Sequence, residues 1–273
     1  MCKRPFPGEN RTARQRAAAK DINVKSIIFL TTPTSATDSI WRILQALYGR
    51  KYKMIKLTDQ YYLEGRLSEL KDAVPPEEDT IIHFNTPQHF NKALDLSRYN
   101  FIINARDPRD LLCNQYHWML QHPVPKITEE ELQRRREKVS SKGIDAYALQ
   151  NSVAAYYDSI RNVVAKLDPQ SMSFCTYAAI CLDFEGFLGR VSRFLTEPIT
   201  GQQRAVLDKE SPEQIKNHQA WVGKRYVGAD TRPGRYKTEL KPETIKALNA
   251  LHVENLQMLR EHDLPSVRST YDE

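Results

Sequence analysis

No stretch of the 273-residue chain approaches the ~20 consecutive apolar residues that a membrane-spanning helix needs. The longest runs, at residues 26–30 and 178–182, are only a few residues long, so the expectation is a soluble protein with no membrane partner. Lys3, Arg4, Arg11, Arg14, Arg16 and Lys20 make the N-terminus basic, but no apolar segment follows them as a secretory signal requires. Cysteine is scarce. Cys2, Cys113, Cys175 and Cys181 show neither zinc-ligand spacing nor a paired framework, which argues against a bound metal and for reduced thiols in a cytoplasm. Glycine numbers only 10, and neither the Gly-x-x-x-x-Gly-Lys-Ser/Thr of nucleotide triphosphatases nor the Gly-x-Gly-x-x-Gly of dinucleotide enzymes occurs. There is no internal repeat and no low-complexity tract.

What is present suffices for one large domain. The chain is 40% apolar and 9% aromatic, enough for a sizeable core. Residues 1–20 are read as a flexible basic arm, 21–265 as the domain and 266–273 as a C-terminal tail. Lys and Arg total 40 against 34 Asp and Glu, a net charge of +6. Such a balance favours an anionic partner: nucleic acid, acidic lipid or a phosphorylated small molecule.

Short apolar runs alternate with helical spacing along the chain. Residues 25–31, 80–84, 100–104 and 171–177 read as strands, the first nearly continuous in apolar character, as in a strand buried on both faces. Helices are expected at 40–48, 87–96, 108–121, 128–138, 144–166, 184–195 and 242–262. The alternation predicts an α/β domain with a central parallel sheet flanked by helices, binding its ligand at the carboxyl ends of the strands.

Two strand-to-helix junctions suit phosphate. The first, residues 31–39, is rich in hydroxyl side chains and runs into a helix N-terminus, whose free N–H groups and dipole attract anions. Its plainer reading is a Ser/Thr-rich turn with Thr37 or Asp38 as the N-cap. At the second, Asn104-Ala105-Arg106-Asp107-Pro108-Arg109-Asp110, Asp107 as N-cap and Pro108 as first helical residue account for the helix start. Arg106 remains. A guanidinium there can grip a phosphate bidentately, or it can pair with Asp107 or Asp110.

These junctions resemble the signature elements of sulfotransferases that use 3′-phosphoadenosine 5′-phosphosulfate (PAPS). The family's Pro-Lys-Ser-Gly-Thr-Thr-Trp loop, which holds the 5′-phosphosulfate, is similar to Pro33-Thr34-Ser35-Ala36-Thr37-Asp38-Ser39. Its 3′-phosphate element, Arg-Asn/Asp-Pro-Lys/Arg-Asp with a Ser eight residues after the Arg, resembles Arg106-Asp107-Pro108-Arg109-Asp110 with Asn114 at the Ser position. Phe174 to Ile180 is similar to the Tyr-Glu-Asp-Leu strand, which places Tyr177 beside the adenine. Arg232-Pro233-Gly234-Arg235-Tyr236-Lys237 resembles the closing Gly-Asp-Trp-Lys segment, whose basic residues clamp the 3′-phosphate. The resemblance spans about residues 25–260. It implies a P-loop-like fold, PAPS as co-substrate, adenosine 3′,5′-bisphosphate (PAP) as product, no metal, and a small-molecule acceptor. With no Golgi-type signal or stem, the expected setting is cytoplasmic and the acceptor a secondary metabolite.

Three departures bear on mechanism. Thr34 stands where the family carries a Lys or Arg that stabilises charge on the leaving oxygen; its hydroxyl can donate a hydrogen bond but supplies no charge. Asp38 places a negative charge near a bound anion unless it turns away to cap the helix. The family's Lys-x-His-x-Pro base segment corresponds to His83-x-Asn85-x-Pro87, which makes His83 a substitute base or a structural histidine. His117 and His122 are second choices, and packing suits His117 better. Trp41, two places beyond the family's Trp, is read as core. Other readings are a catalytically impaired PAP-binding protein, a basic nucleic-acid-binding protein, for which no binding motif is present, and a P-loop kinase.

Overall fold

The computed structural model describes residues 25–56, 79–84, 95–122, 127–215 and 232–272. Its five strands are β1 Ile27–Thr31, β2 Lys53–Lys56, β3 Thr80–Phe84, β4 Asn100–Ala105 and β5 Met172–Thr176. They form one parallel sheet in the order β2-β3-β1-β4-β5. All residues of β1, β3 and β5 are buried, because helices cover both faces of the sheet and the strands can be apolar throughout. The sheet winds outward from the β1–β4 pair, so the two phosphate-type junctions leave adjacent strands.

β2 has no counterpart in the sequence reading. Lys53-Met54-Ile55-Lys56 holds only two apolar residues and is exposed at both ends, as an edge strand can be.

Helix α1, Thr37–Tyr48, turns Ile40, Trp41, Ile43, Leu44, Leu47 and Tyr48 inward, so Trp41 is a core residue. Helix α2, Pro108–Gln121, begins as its sequence requires: the Asp107 side chain accepts from Arg109 N at 2.9 Å and Pro108 opens the first turn. Helix α3 runs Glu129–Gln150 with a non-helical Gly143 at φ 73°, and α4 is Ala154–Val164, so the expected 144–166 helix divides between the two. Short helices follow: α5 Tyr177–Leu182, α6 Phe184–Val191, α7 Gly201–Leu207, α8 Pro212–Ile215 and α9 Tyr236–Glu239. The expected closing helix is two, α10 Pro242–Leu251 and α11 Val253–His262, broken at His252.

Of the expected 266–273 tail, the described residues are packed on the domain. Residues Pro265–Tyr271 form a 3-10 helix that buries Val267 and Tyr271. The Tyr271 hydroxyl donates to Asp263, and its carbonyl accepts from Arg109 and Arg260. The 1–20 arm and the 87–94 part of the expected crossover helix lie outside the described residues.

Candidate functional site

The first loop is built on two residues in the left-handed region, Thr34 at φ 56° and Ala36 at φ 59°. Ala36 is the N-cap, in place of the expected Thr37 or Asp38, and no side chain caps the helix. Two of the hydroxyls are spent elsewhere: Thr37 Oγ1 meets Thr31 Oγ1 at 3.2 Å, and Ser35 Oγ meets Thr32 Oγ1 at 2.5 Å, while Thr34 Oγ1 is buried without a hydrogen-bond partner. The first intrahelical bond is Ile40 N to Ala36 O, so the N–H groups of Thr37, Asp38 and Ser39 precede the helical ladder. Ser39 Oγ accepts from Arg42. Asp38 pairs with Lys56 at 2.6 Å. The loop is tied to β4 by Asn104, whose Nδ2 donates to Thr31 Oγ1 at 3.1 Å and to Ser35 O at 2.7 Å. Two buried hydrogen bonds of this kind fix a backbone that its own residues would not choose.

Arg106 is the residue that geometry leaves unexplained by packing. It is 3% exposed, yet Nε and one terminal nitrogen have no hydrogen-bond partner. Its other terminal nitrogen donates to Thr34 O at 3.0 Å, and the guanidinium lies 4.0 Å from the Tyr177 ring centroid. Neither neighbouring carboxylate takes it. Asp107 is paired with Arg109 at 2.7 Å, and Asp110 accepts from Gly234 N at 2.7 Å and Tyr236 N at 3.1 Å. Burial, then the Asp107 charge, push the Asp110 carboxyl up to about 6; Arg106 and the two amides oppose this. The Arg106 backbone is held from below by the Tyr157 hydroxyl, which donates to its carbonyl. A buried guanidinium with unused donors is costly unless a ligand takes them.

Arg106 opens into a cleft shared with Asp110, Tyr177, Pro233, Gly234 and Tyr271. The closing segment thus reaches the second junction. Asn114 and Arg235 come together but face each other. Arg235 is 1% exposed, donates to Glu239 at 2.8 Å, and has Asn114 Oδ1 at 3.5 Å. Glu239 also meets His117 Nε2 at 2.8 Å. Residues 110, 114 and 117 line the side of α2 on which α9 docks, and these polar contacts hold it there. Gly234 N is likewise engaged, and Arg232 is exposed.

His83 is not placed as a base. It is fully buried on β3, stacked on Phe29 at 4.8 Å and tilted against Trp41 at 5.5 Å, with both ring nitrogens unpartnered. Burial first, then the Lys56 charge, push its pKa down to about 3, opposed by Asp38. An imidazole without solvent access and with so low a pKa is a poor proton acceptor at neutral pH. Strand alternation puts it on a definite face but does not reveal that α1 covers that face. Asn85 lies outside the described residues. Asn104, Tyr157, Lys56 and Tyr271 were not read from sequence; only Asn104, two residues before Arg106 on the same strand, carried any signal.

The model of the family described as "Sulfotransferase domain" matches residues 35–256, most of the chain. The chain belongs to the sulfotransferase family. Comparison with curated proteins returned no match. Among solved structures, the sulfotransferase is similar to mouse sulfotransferase SULT7A1 complexed with PAP, at 16% identity and TM-score 0.57, over 87% of this chain and 86% of that one. It is also similar to retinol dehydratase in complex with androsterone and inactive cofactor PAP, at 18% identity and TM-score 0.53, over 85% of this chain and 80% of that one. The sulfotransferase therefore has their P-loop-like fold, a central parallel sheet between helices.

Proposed function

We propose that the protein transfers a sulfonate group from PAPS to a hydroxyl or amino group of a small-molecule acceptor of the secondary-metabolite kind, releasing PAP, in a cytoplasmic setting. The observation that carries this reading is Arg106, buried in the cleft with two donor groups unused beside the Thr34 loop. Nucleotide-bearing relatives of the same fold support it. Bound PAPS would supply an activated sulfonate. The amides of Thr37, Asp38 and Ser39 would hold the 5′-phosphate, Arg106 the 3′-phosphate, and Tyr177 one wall of the nucleotide site. Fixing the donor in this way lowers the entropic part of the barrier for in-line attack by the acceptor. Asn114, Arg235 and Gly234 act one step back, holding the closing segment against α2.

A second reading, a PAP-binding protein without turnover, is favoured by the neutral Thr34 and the buried His83. Incubation with ³⁵S-labelled PAPS and a panel of alcohols, phenols and amines separates the two. Sulfonate transfer predicts a labelled organic product, or PAPS hydrolysed faster than in buffer. Bound PAPS that stays intact with every acceptor supports the second reading.

A further inference from the structure

We infer that Lys56, held beside the first loop by Asp38, supplies the positive charge at the phosphosulfate end of the nucleotide that Thr34 does not. The inference rests on the proposed PAPS site and deepens it.

When the S–O bond to the bridging oxygen breaks, the electron pair stays on the 5′-phosphate. Charge therefore builds on the loop side of the site. Helix-start amides offer partial charges to meet it, but Asp38 in the first turn of α1 brings a full negative charge to the same end. Left alone, that carboxylate would repel the ligand. It is not alone: Lys56 Nζ lies 2.6 Å from Asp38 Oδ1.

The cation arrives from an unexpected direction. Lys56 ends β2, opposite His83 of β3, which is itself opposite Phe29 of β1. Its backbone is thus two strand spacings, about 10 Å, from β1. To reach Asp38 its side chain must extend across the carboxyl end of β3 toward the loop. The charge it exerts on His83 is in keeping with that path.

Among the described residues, the neighbouring cations are committed. Arg42 is held by Glu210 through bonds of 2.5 and 2.8 Å, and Arg106 reaches the loop only through Thr34 O. Lys56 is different. It is 42% exposed and its partner Asp38 is 71% exposed, an open ion pair of the weak, exchangeable kind. An arriving phosphosulfate, with more charge than one carboxylate, can share or take over the ammonium without exposing a buried group. Asp38 then positions Lys56 while the site is empty.

Calorimetric titration with PAP and, separately, with adenosine 3′-monophosphate tests this. Lys56→Met is expected to weaken PAP binding about tenfold and leave adenosine 3′-monophosphate within twofold of wild type. Lys56→Arg should restore PAP binding to within threefold. Adding Thr34→Lys to Lys56→Met should recover most of the loss, because the charge returns from the other side of the loop. Asp38→Asn should tighten PAP binding severalfold in wild type and less in Lys56→Met. Thermal melting shows whether each variant is folded. If wild type binds PAP and Lys56→Met binds it equally well, or loses both nucleotides alike, the role of Lys56 is overturned while the nucleotide site stands. If wild type binds no PAP, both fall together.

Discussion

Replacing Arg106 with Ala removes the two unused donor groups on which the proposed nucleotide site depends. Each hydrogen bond to a charged phosphate oxygen contributes about 1.5–3 kcal/mol, so two are worth about 3–6 kcal/mol. At 1.4 kcal/mol per factor of ten, the dissociation constant for PAP should rise about 10²- to 10⁴-fold. Folding should change far less. The variant loses the bond to Thr34 O and the contact with Tyr177, but it also loses a buried, half-satisfied charge. Arg106→Lys keeps the charge without the planar fork and should fall between the two. Calorimetry with PAP, with adenosine 5′-monophosphate as the control lacking a 3′-phosphate, reads the effect. The control ligand should bind wild type and Arg106→Ala alike. A folded Arg106→Ala that binds PAP within threefold of wild type would refute the assignment.

Ala36 sits at φ 59°, where a Cβ is strained, so Ala36→Gly should stabilise by about 0.5–1 kcal/mol and raise Tm by about 1–4 °C in a calorimetric scan. Truncation after residue 264 should cost about 3–6 kcal/mol in urea unfolding, since it strips two buried apolar side chains and the Tyr271 bonds; a mobile tail would cost nothing. His83 should make the fold acid-sensitive. The unfolded chain takes up its proton at pH 6.5 but the folded one only near 3, so stability falls as pH falls, by about 1.4 kcal/mol per unit below 6.5. Asp110, its carboxyl raised to about 6, works in the opposite sense between about pH 4 and 6, and is common to both proteins in the comparison. His83→Phe should therefore lose about 2 kcal/mol less than wild type between pH 7 and 5. Equal losses would contradict its burial. Turnover abolished in a folded His83→Phe with unchanged PAP affinity would reinstate it as the base.

Fold and site were legible in the sequence to different depths. β1, β3, β4 and β5 announce themselves as short apolar-rich runs because burial on both faces favours apolar residues, with a few buried polar ones such as His83 and Ser173 among them. β2 does not, since an edge strand can end in two lysines. Arg106 was legible by subtraction: once Asp107 and Pro108 explain the helix start, a strand-end guanidinium has no structural task, and the structure gives its neighbours other partners. Arg235 and Asn114 are a different matter. They are 121 residues apart, and only the docking of α9 on α2 shows that they meet. Whether Asp38 caps its helix or pairs with Lys56 depends on a strand the sequence did not reveal. The buried segment at Pro265–Tyr271 rests on Val267 and Tyr271 alone, too few apolar positions to form a periodic pattern.

Arg106 and the Thr34 loop are proposed to hold the two ends of a doubly phosphorylated nucleotide. A crystal structure of the protein with PAP tests it most directly. The 3′-phosphate should lie within hydrogen-bond distance of Arg106 Nε and its unpartnered terminal nitrogen, and the 5′-phosphate on the amides of Thr37 to Ser39. PAP bound elsewhere, or bound with those Arg106 nitrogens still unused, would contradict it.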